Sequence, residues 1–193
     1  MSIIRSLFAS VALLTAVTAA NAQISVYGTA MLTNFGLYNS SSPHISFKGD
    51  TVGFGGGAFY NFPIQSRLTA GIDARASYSP GTKGGTSAAA SLRIGFVPHE
   101  VRLRPYFQIG GGFVSTDGYT FGMVGSQLYA YKNRTTNGAV EIVGGLDVRL
   151  TDQVDVRAIE YGAAASGTSS STRAGVGFLS SGLVYHFHLR QHT

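Results

Sequence analysis

The sequence predicts an all-β fold, an eight-stranded antiparallel up-and-down transmembrane β-barrel. Three observations predict it. The chain is built from runs with a two-residue period, apolar on one parity and polar or charged on the other. The longest of these runs exceed the five or six residues usual in globular strands and match the roughly 9–11 residues of a tilted strand crossing a bilayer. The connections between runs alternate between short and long.

The run at 67–78 is the clearest. Leu68, Ala70, Ile72, Ala74, Ala76 and Tyr78 share one parity; Arg67, Thr69, Gly71, Asp73, Arg75 and Ser77 share the other. A period of two means a strand with two unlike faces. The same split returns at 139–150, where Val140, Ile142, Gly144, Leu146, Val148 and Leu150 oppose Ala139, Glu141, Val143, Gly145, Asp147 and Arg149.

In chain order, Met1–Ala22 carries Arg5, an apolar stretch over Leu7–Val17 and a small-residue end, Ala20-Asn21-Ala22. That layout predicts a secretory signal peptide over 1–22. The barrel is expected over 23–187 and a short C-terminal tail over 188–193. Strands are predicted near 24–37, 52–62, 67–78, 88–98, 103–114, 138–150, 154–162 and 173–187. Long connections are expected at Tyr38–Thr51, Ser79–Ser87, Ser115–Asn137 and Ala163–Thr172. Short ones are expected at Pro63–Ser66, His99–Arg102 and Thr151–Gln153. Short turns at one end and longer loops at the other are the pattern of membrane barrels. A sheet in lipid must close, since an open edge would leave backbone groups without partners.

Two runs break their alternation. In 154–162, Val154 and Val156 share a parity on which Glu160 then falls, which predicts a bulge near Ala158-Ile159. In 173–187, Ala174, Val176 and Phe178 share one parity, and Leu183, Tyr185 and Phe187 the other. A second register change is therefore expected near Leu179–Ser181.

Charge placement follows the same logic. Lys48, Lys83 and Lys132 fall in predicted outer loops. Arg75, Arg93, Arg104, Arg149 and Arg157 fall within strands on the polar parity. A cation facing lipid at mid-membrane costs about 2–4 kcal/mol, so these arginines are expected to face inward. Tyr60, Phe62 and Phe96 are expected at one rim of an aromatic girdle, and Phe54 and Tyr78 at the other.

An eight-stranded barrel is just wide enough for its own side chains to fill it. The predicted lumen charge cluster is Asp73, Arg75, Arg93, Arg104, Glu141, Asp147, Arg149, Arg157 and Glu160, with Asp155 on the same inward set. Buried charges are tolerable when paired, so a plug of arginine–carboxylate pairs is expected. A narrow small-solute channel, in which one pair swings aside, is the alternative.

Composition excludes other classes. Cysteine is absent and only 12% of residues are charged. The net charge of +5, with no basic run, gives no nucleic-acid signal. The glycine runs at 55–57 and 110–112 open no helix and are not phosphate loops; they allow strands to bend and pack closely. His44, beside Ser40–Ser42 and Asp50, is the sole outer histidine that could serve a lipid-modifying enzyme. His186, His188 and His192 lie near the chain end and are read as tail, not as metal ligands. No catalytic residue, cofactor or metal is therefore assigned, and the chain is read as non-enzymatic. A soluble lipocalin-like barrel is a further alternative.

Ser180-Ser181-Gly182-Leu183-Val184-Tyr185-His186-Phe187 resembles the C-terminal β-signal of Gram-negative outer-membrane proteins, with Ser180, Gly182, Tyr185 and Phe187 at its marked positions. Val52–Tyr78, the Arg-Pro-Tyr-x-x-x-Gly-Gly-Gly run at 104–112, Gly144–Arg149 and Val156–Tyr161 resemble the OmpA/OmpX-like outer membrane protein beta-barrel domain family. The resemblance covers nearly all of 23–187. It implies an outer-membrane barrel with no common enzyme activity or cofactor. Its expected partners are outer-membrane lipid and the insertion machinery, and it is expected to be a monomer. Recognition, if any, is expected in the loops at 38–51 and 115–137.

Overall fold

A computed structural model describes residues 23–39, 42–81, 84–98, 101–124, 127–167 and 172–187. The expected signal peptide at 1–22, the expected tail at 188–193, Lys83 and His99 lie outside them. Eight strands follow one another: β1 Gln23–Asn39, β2 Ser42–Gln65, β3 Leu68–Ser79, β4 Gly85–Phe96, β5 Leu103–Val124, β6 Gln127–Arg149, β7 Val154–Gly167 and β8 Thr172–Phe187. Each pairs antiparallel with its sequence neighbour, and β1 closes on β8 from Ile24↔Phe187 to Asn39↔Thr172. Within the closed wall no sheet edge remains, which is the condition for a sheet to sit in lipid.

The burial pattern is inverted relative to a water-soluble protein. On β3, Gly71 and Asp73 are buried while Ile72 is 56% exposed. Leu92, Ile94, Phe107, Ile109, Val140, Ile142 and Leu183 are likewise exposed. Arg93, Glu141, Asp147, Asp155, Arg157 and Glu160 are buried. From Leu68 to Tyr78 the strand rises roughly 3.4 Å per residue. With a tilt of about 35–45°, that covers an apolar band about 25 Å tall. Phe54 and Tyr78 meet edge-on at 5.6 Å at one margin, and Tyr185 and Phe187 at 4.9 Å at the other.

The bulge lies where the broken alternation of β7 puts it. Leu146 pairs with Ile159 and the next residue, Asp147, with Arg157, so Ala158 is the extra residue. Ser181 Oγ donates to the Arg157 carbonyl at 2.9 Å beside it. The bulge turns both Arg157 and Glu160 inward.

The second expected register change does not occur. β8 runs without interruption against β1, and Val176, Phe178, Ser180, Val184 and His186 all lie buried on one parity. Val176, Phe178 and Val184 are therefore interior residues. Apolar residues need not all face lipid. Here the lumen itself holds apolar clusters, Met31–Tyr106–Val143–Phe178 at mid-height and Val114–Ala164–Val176 nearer the long hairpins.

The long loops also need correcting. Residues 38–51 and 115–137 are mostly strand: β1 and β2 stay paired to Asn39↔Ser42, and β5 and β6 to Val124↔Gln127. Lys48 and His44 therefore sit in β2, and Lys132 in β6. Polar composition suggested loops, but two strands zipped to each other need no apolar face once they leave the barrel. At the opposite end the connections are short, with Ser66 and Arg67 forming the β2–β3 turn.

Candidate functional site: the charged lumen

The site is the interior of the barrel, and its position follows from strand register. Asp73 and Arg75 lie two residues apart on β3, so both point inward. Gln108 on β5, Glu141 and Asp147 on β6, Arg157 and Glu160 on β7 and Ser180 on β8 converge on them. Glu160 is the hub. Its carboxylate accepts from Tyr106 Oη at 2.6 Å, Ser180 Oγ at 2.9 Å, Arg157 Nη1 at 3.0 Å and both terminal nitrogens of Arg75 at 3.3 Å.

Arg75 spans the lumen. Its Nε donates to Asp73 Oδ1 at 3.3 Å and lies 3.4 Å from Glu141 Oε1; its Nη2 donates to Gln108 Oε1. Tyr27 Oη donates to the same Asp73 oxygen at 3.0 Å. Asp147 is the second bridging carboxylate, accepting from Arg157 Nε and from Arg93 Nη2, each at 3.0 Å. Charge-assisted bonds of this kind are roughly twice as strong as neutral ones, and they offset the desolvation of the ions.

Aromatic rings fill what the charges leave open. The guanidinium carbon of Arg157 lies 4.1 Å from the Tyr27 ring centre, and that of Arg93 lies 3.6 Å from the Tyr106 ring centre. Each ring occupies the space of a missing side chain. A Cβ on Gly145 would stand 2.3 Å from the Tyr106 ring, and one on Gly162 would stand 2.1 Å from the Phe178 ring. Tyr106 and Gly145 are cross-strand partners, as are Phe178 and Gly162. An aromatic side chain lying over a glycine on the next strand is the packing device that pins register in sheets.

Nearer the short-turn end, a second set crosses the β1–β8 seam. Ser25 Oγ lies 2.7 Å from His186 Nδ1, and His186 Nε2 lies 2.9 Å from Asp155 Oδ2. Arg104 Nη1 donates to the same Asp155 oxygen at 3.0 Å. The residue types are those of a serine-hydrolase triad, whose nucleophile must meet a substrate carbonyl. Ser25 is 0% exposed, and the adjoining cavity is lined by Asp155 but not by Ser25 or His186. The set ties four strands together, with Ser25 closed off from that cavity. His186 is thus an interior residue of β8, not part of a tail.

Of the residues the sequence put in the lumen cluster, Asp73, Arg75, Arg93, Glu141, Asp147, Arg157 and Glu160 form one connected network. Arg104 belongs to the Asp155–His186 set. Arg149 joins neither; it is exposed in the short-turn region and pairs with Asp152. Its parity points inward, but at the strand end the lumen has already opened to solvent. Of the marked positions in β8, Ser180 faces the lumen and donates to Glu160, while Tyr185 and Phe187 face outward. Among the described residues no group of three His, Asp or Glu side chains is arranged to hold a metal.

The sequence reading missed Tyr27, Tyr106, Gln108 and Phe178. A signal was present: Tyr27 shares parity with Ser25, Thr29 and Thr33, and Tyr106 with Arg104 and Gln108.

No protein-family model matches the chain, and no curated protein matches its sequence. Solved structures do match its fold. Neisserial surface protein A is 17% identical, with 84% of this chain and 97% of that chain covered at a TM-score of 0.52. Ail, the attachment invasion locus protein of Yersinia pestis, is 10% identical, with 86% and 99% covered at 0.50. Both are eight-stranded outer-membrane barrels of the OmpA/OmpX-like type, and this chain shares their fold.

Proposed function

We propose that this chain is an integral outer-membrane barrel of a Gram-negative-type envelope, closed by its own side chains and serving a structural role. Its long hairpins are free for surface contacts. One observation carries the reading: the apolar side chains are exposed around the barrel and the charges are buried inside it. Water cannot stabilise that arrangement, and a hydrocarbon surround can. The segment 1–22 would direct export, and the Ser180–Phe187 motif would present the chain to the insertion machinery. Membrane fractions extracted with high salt and then with detergent test the placement. The barrel should appear only in the detergent extract; release by salt would favour a soluble barrel.

Lipid contact also predicts the cost of a misplaced charge. Ile72 is 56% exposed on the outer face of β3, with Tyr60 and Leu92 as its cross-strand partners. Ile72→Arg should lower stability in lipid vesicles by about 2–4 kcal/mol, read from urea unfolding. A loss below about 0.5 kcal/mol, as for an ordinary surface substitution, would place this face in water.

The narrow-channel reading rests on the same lumen. Glu141 is the least engaged carboxylate of the network, and without it Arg75 keeps Asp73, Glu160 and Gln108. Glu141→Ala should cost about 1 kcal/mol and leave planar-bilayer recordings silent, as for the unmodified chain. The barrel should keep its heat-modifiable gel mobility. Discrete conductance steps that appear or grow in Glu141→Ala would instead favour the channel.

A further inference from the structure

Between the central network and the short-turn end, the lumen opens into a cavity of about 260 Å³. Its walls combine Phe59, Pro63 and Pro105 with Arg67, Arg93 and Arg104. The carboxylates that line it are already engaged. Asp147 is shared by Arg93 and Arg157, and Asp155 by Arg104 and His186.

The cations are less fully matched. Arg93 is 5% exposed, and its Nε and Nη1 have no hydrogen-bond partner. The rings of Phe59 and Tyr106 lie 4.2 and 3.6 Å from its guanidinium carbon and cover it. Buried N–H groups without partners are rare, and a bound ion is one of their ordinary explanations. Arg104 pairs through Nη1 and keeps a side chain that is 21% exposed. Arg67 is exposed in the β2–β3 turn that forms the rim. The space is several times the roughly 30 Å³ that one water occupies in the liquid.

We propose that this cavity binds a phosphate group. Arg104 and Arg67 donate to it at the mouth, and the partly unmatched charge of Arg93 holds it from the inner wall. Guanidinium forks suit phosphate oxygens in geometry and charge. Free phosphate and the headgroup of a phospholipid at the adjoining membrane surface present the same chemistry.

The test uses the full chain folded in detergent micelles and titrated calorimetrically in two arms. One arm uses inorganic phosphate, the other a short-chain phosphatidylglycerol. Binding in the first arm identifies a free anion, and binding confined to the second identifies a headgroup; either supports the site. Arg67→Gln and Arg104→Gln should each weaken binding about tenfold, the effect of losing one charge-assisted bond. Arg67 lies in an exposed turn, so its variant keeps the test valid if Arg104→Gln folds poorly. Arg149→Gln removes a charge at the same end but outside the cavity, and should leave binding unchanged. No binding in either arm overturns the proposal. So does an Arg149→Gln variant that weakens binding as much as Arg67→Gln, since that marks diffuse surface charge.

Discussion

Glu160→Ala should cost about 3–5 kcal/mol of barrel stability, the range for removing one partner from a buried ion pair. No other carboxylate in the lumen is so heavily bonded. It takes Tyr106, Ser180, Arg157 and both ends of the Arg75 fork. Its loss leaves Arg157 on Asp147 alone and Arg75 on the weaker side of its network, with a void between two cations. Arg157 cannot turn to solvent, because it is 0% exposed and the Tyr27 and Tyr106 rings lie against it. Urea unfolding in lipid vesicles reads the loss directly. The comparison is Arg149→Gln, whose exposed pair with Asp152 should matter by less than about 1 kcal/mol. A Glu160→Ala barrel as stable as Arg149→Gln would mean that the network is not what holds the lumen closed.

Gly145→Val should cost about 3 kcal/mol for a different reason. The Tyr106 ring occupies the place where a side chain at 145 would stand. Overpacking costs about 1–3 kcal/mol. Displacing the ring also breaks the 2.6 Å bond from Tyr106 Oη to Glu160 and removes the ring beside Arg93. If that is the mechanism, the two positions are coupled. Tyr106→Leu should be damaging alone, and the double variant should recover about 1 kcal/mol or more of the summed losses. Strict additivity would show that Gly145 matters for backbone reasons unrelated to Tyr106.

Much of the fold was legible because a membrane barrel writes its two faces as two parities. Asp73 and Arg75 read correctly as inward because their outward neighbours Ile72, Ala74 and Ala76 leave no other face for charge. The bulge at Ala158 was legible for the same reason, since without it Glu160 would face lipid. The misreading of β8 has one cause, which is treating apolar as synonymous with lipid-facing. Val176, Phe178 and Val184 fill the lumen, so the alternation of β8 looked broken where it is regular. Parity points Tyr27 and Tyr106 inward, but their seats over Gly57 and Gly145 on the next strand depend on register, which is a cross-strand fact. The hairpin extensions were hidden because residues 38–51 and 115–137 are rich in Ser, Thr, Asn and Gly, a composition that reads as loop. Which arginine meets which carboxylate depends on side-chain reach across the lumen, so Arg149 could not be told from Arg157 by parity.

The central claim is that one parity of each strand meets lipid while the other closes a charged core. The absence of cysteine makes a single-cysteine scan direct. Single replacements along β3 from Leu68→Cys to Tyr78→Cys, each labelled with an environment-sensitive fluorophore, can be refolded into vesicles containing brominated lipid. Quenching should follow a period of two, strong for Ile72→Cys, Ala74→Cys and Ala76→Cys. Little quenching is expected for Thr69→Cys and Ser77→Cys. Uniform quenching, no quenching, or the opposite parity would contradict the claim.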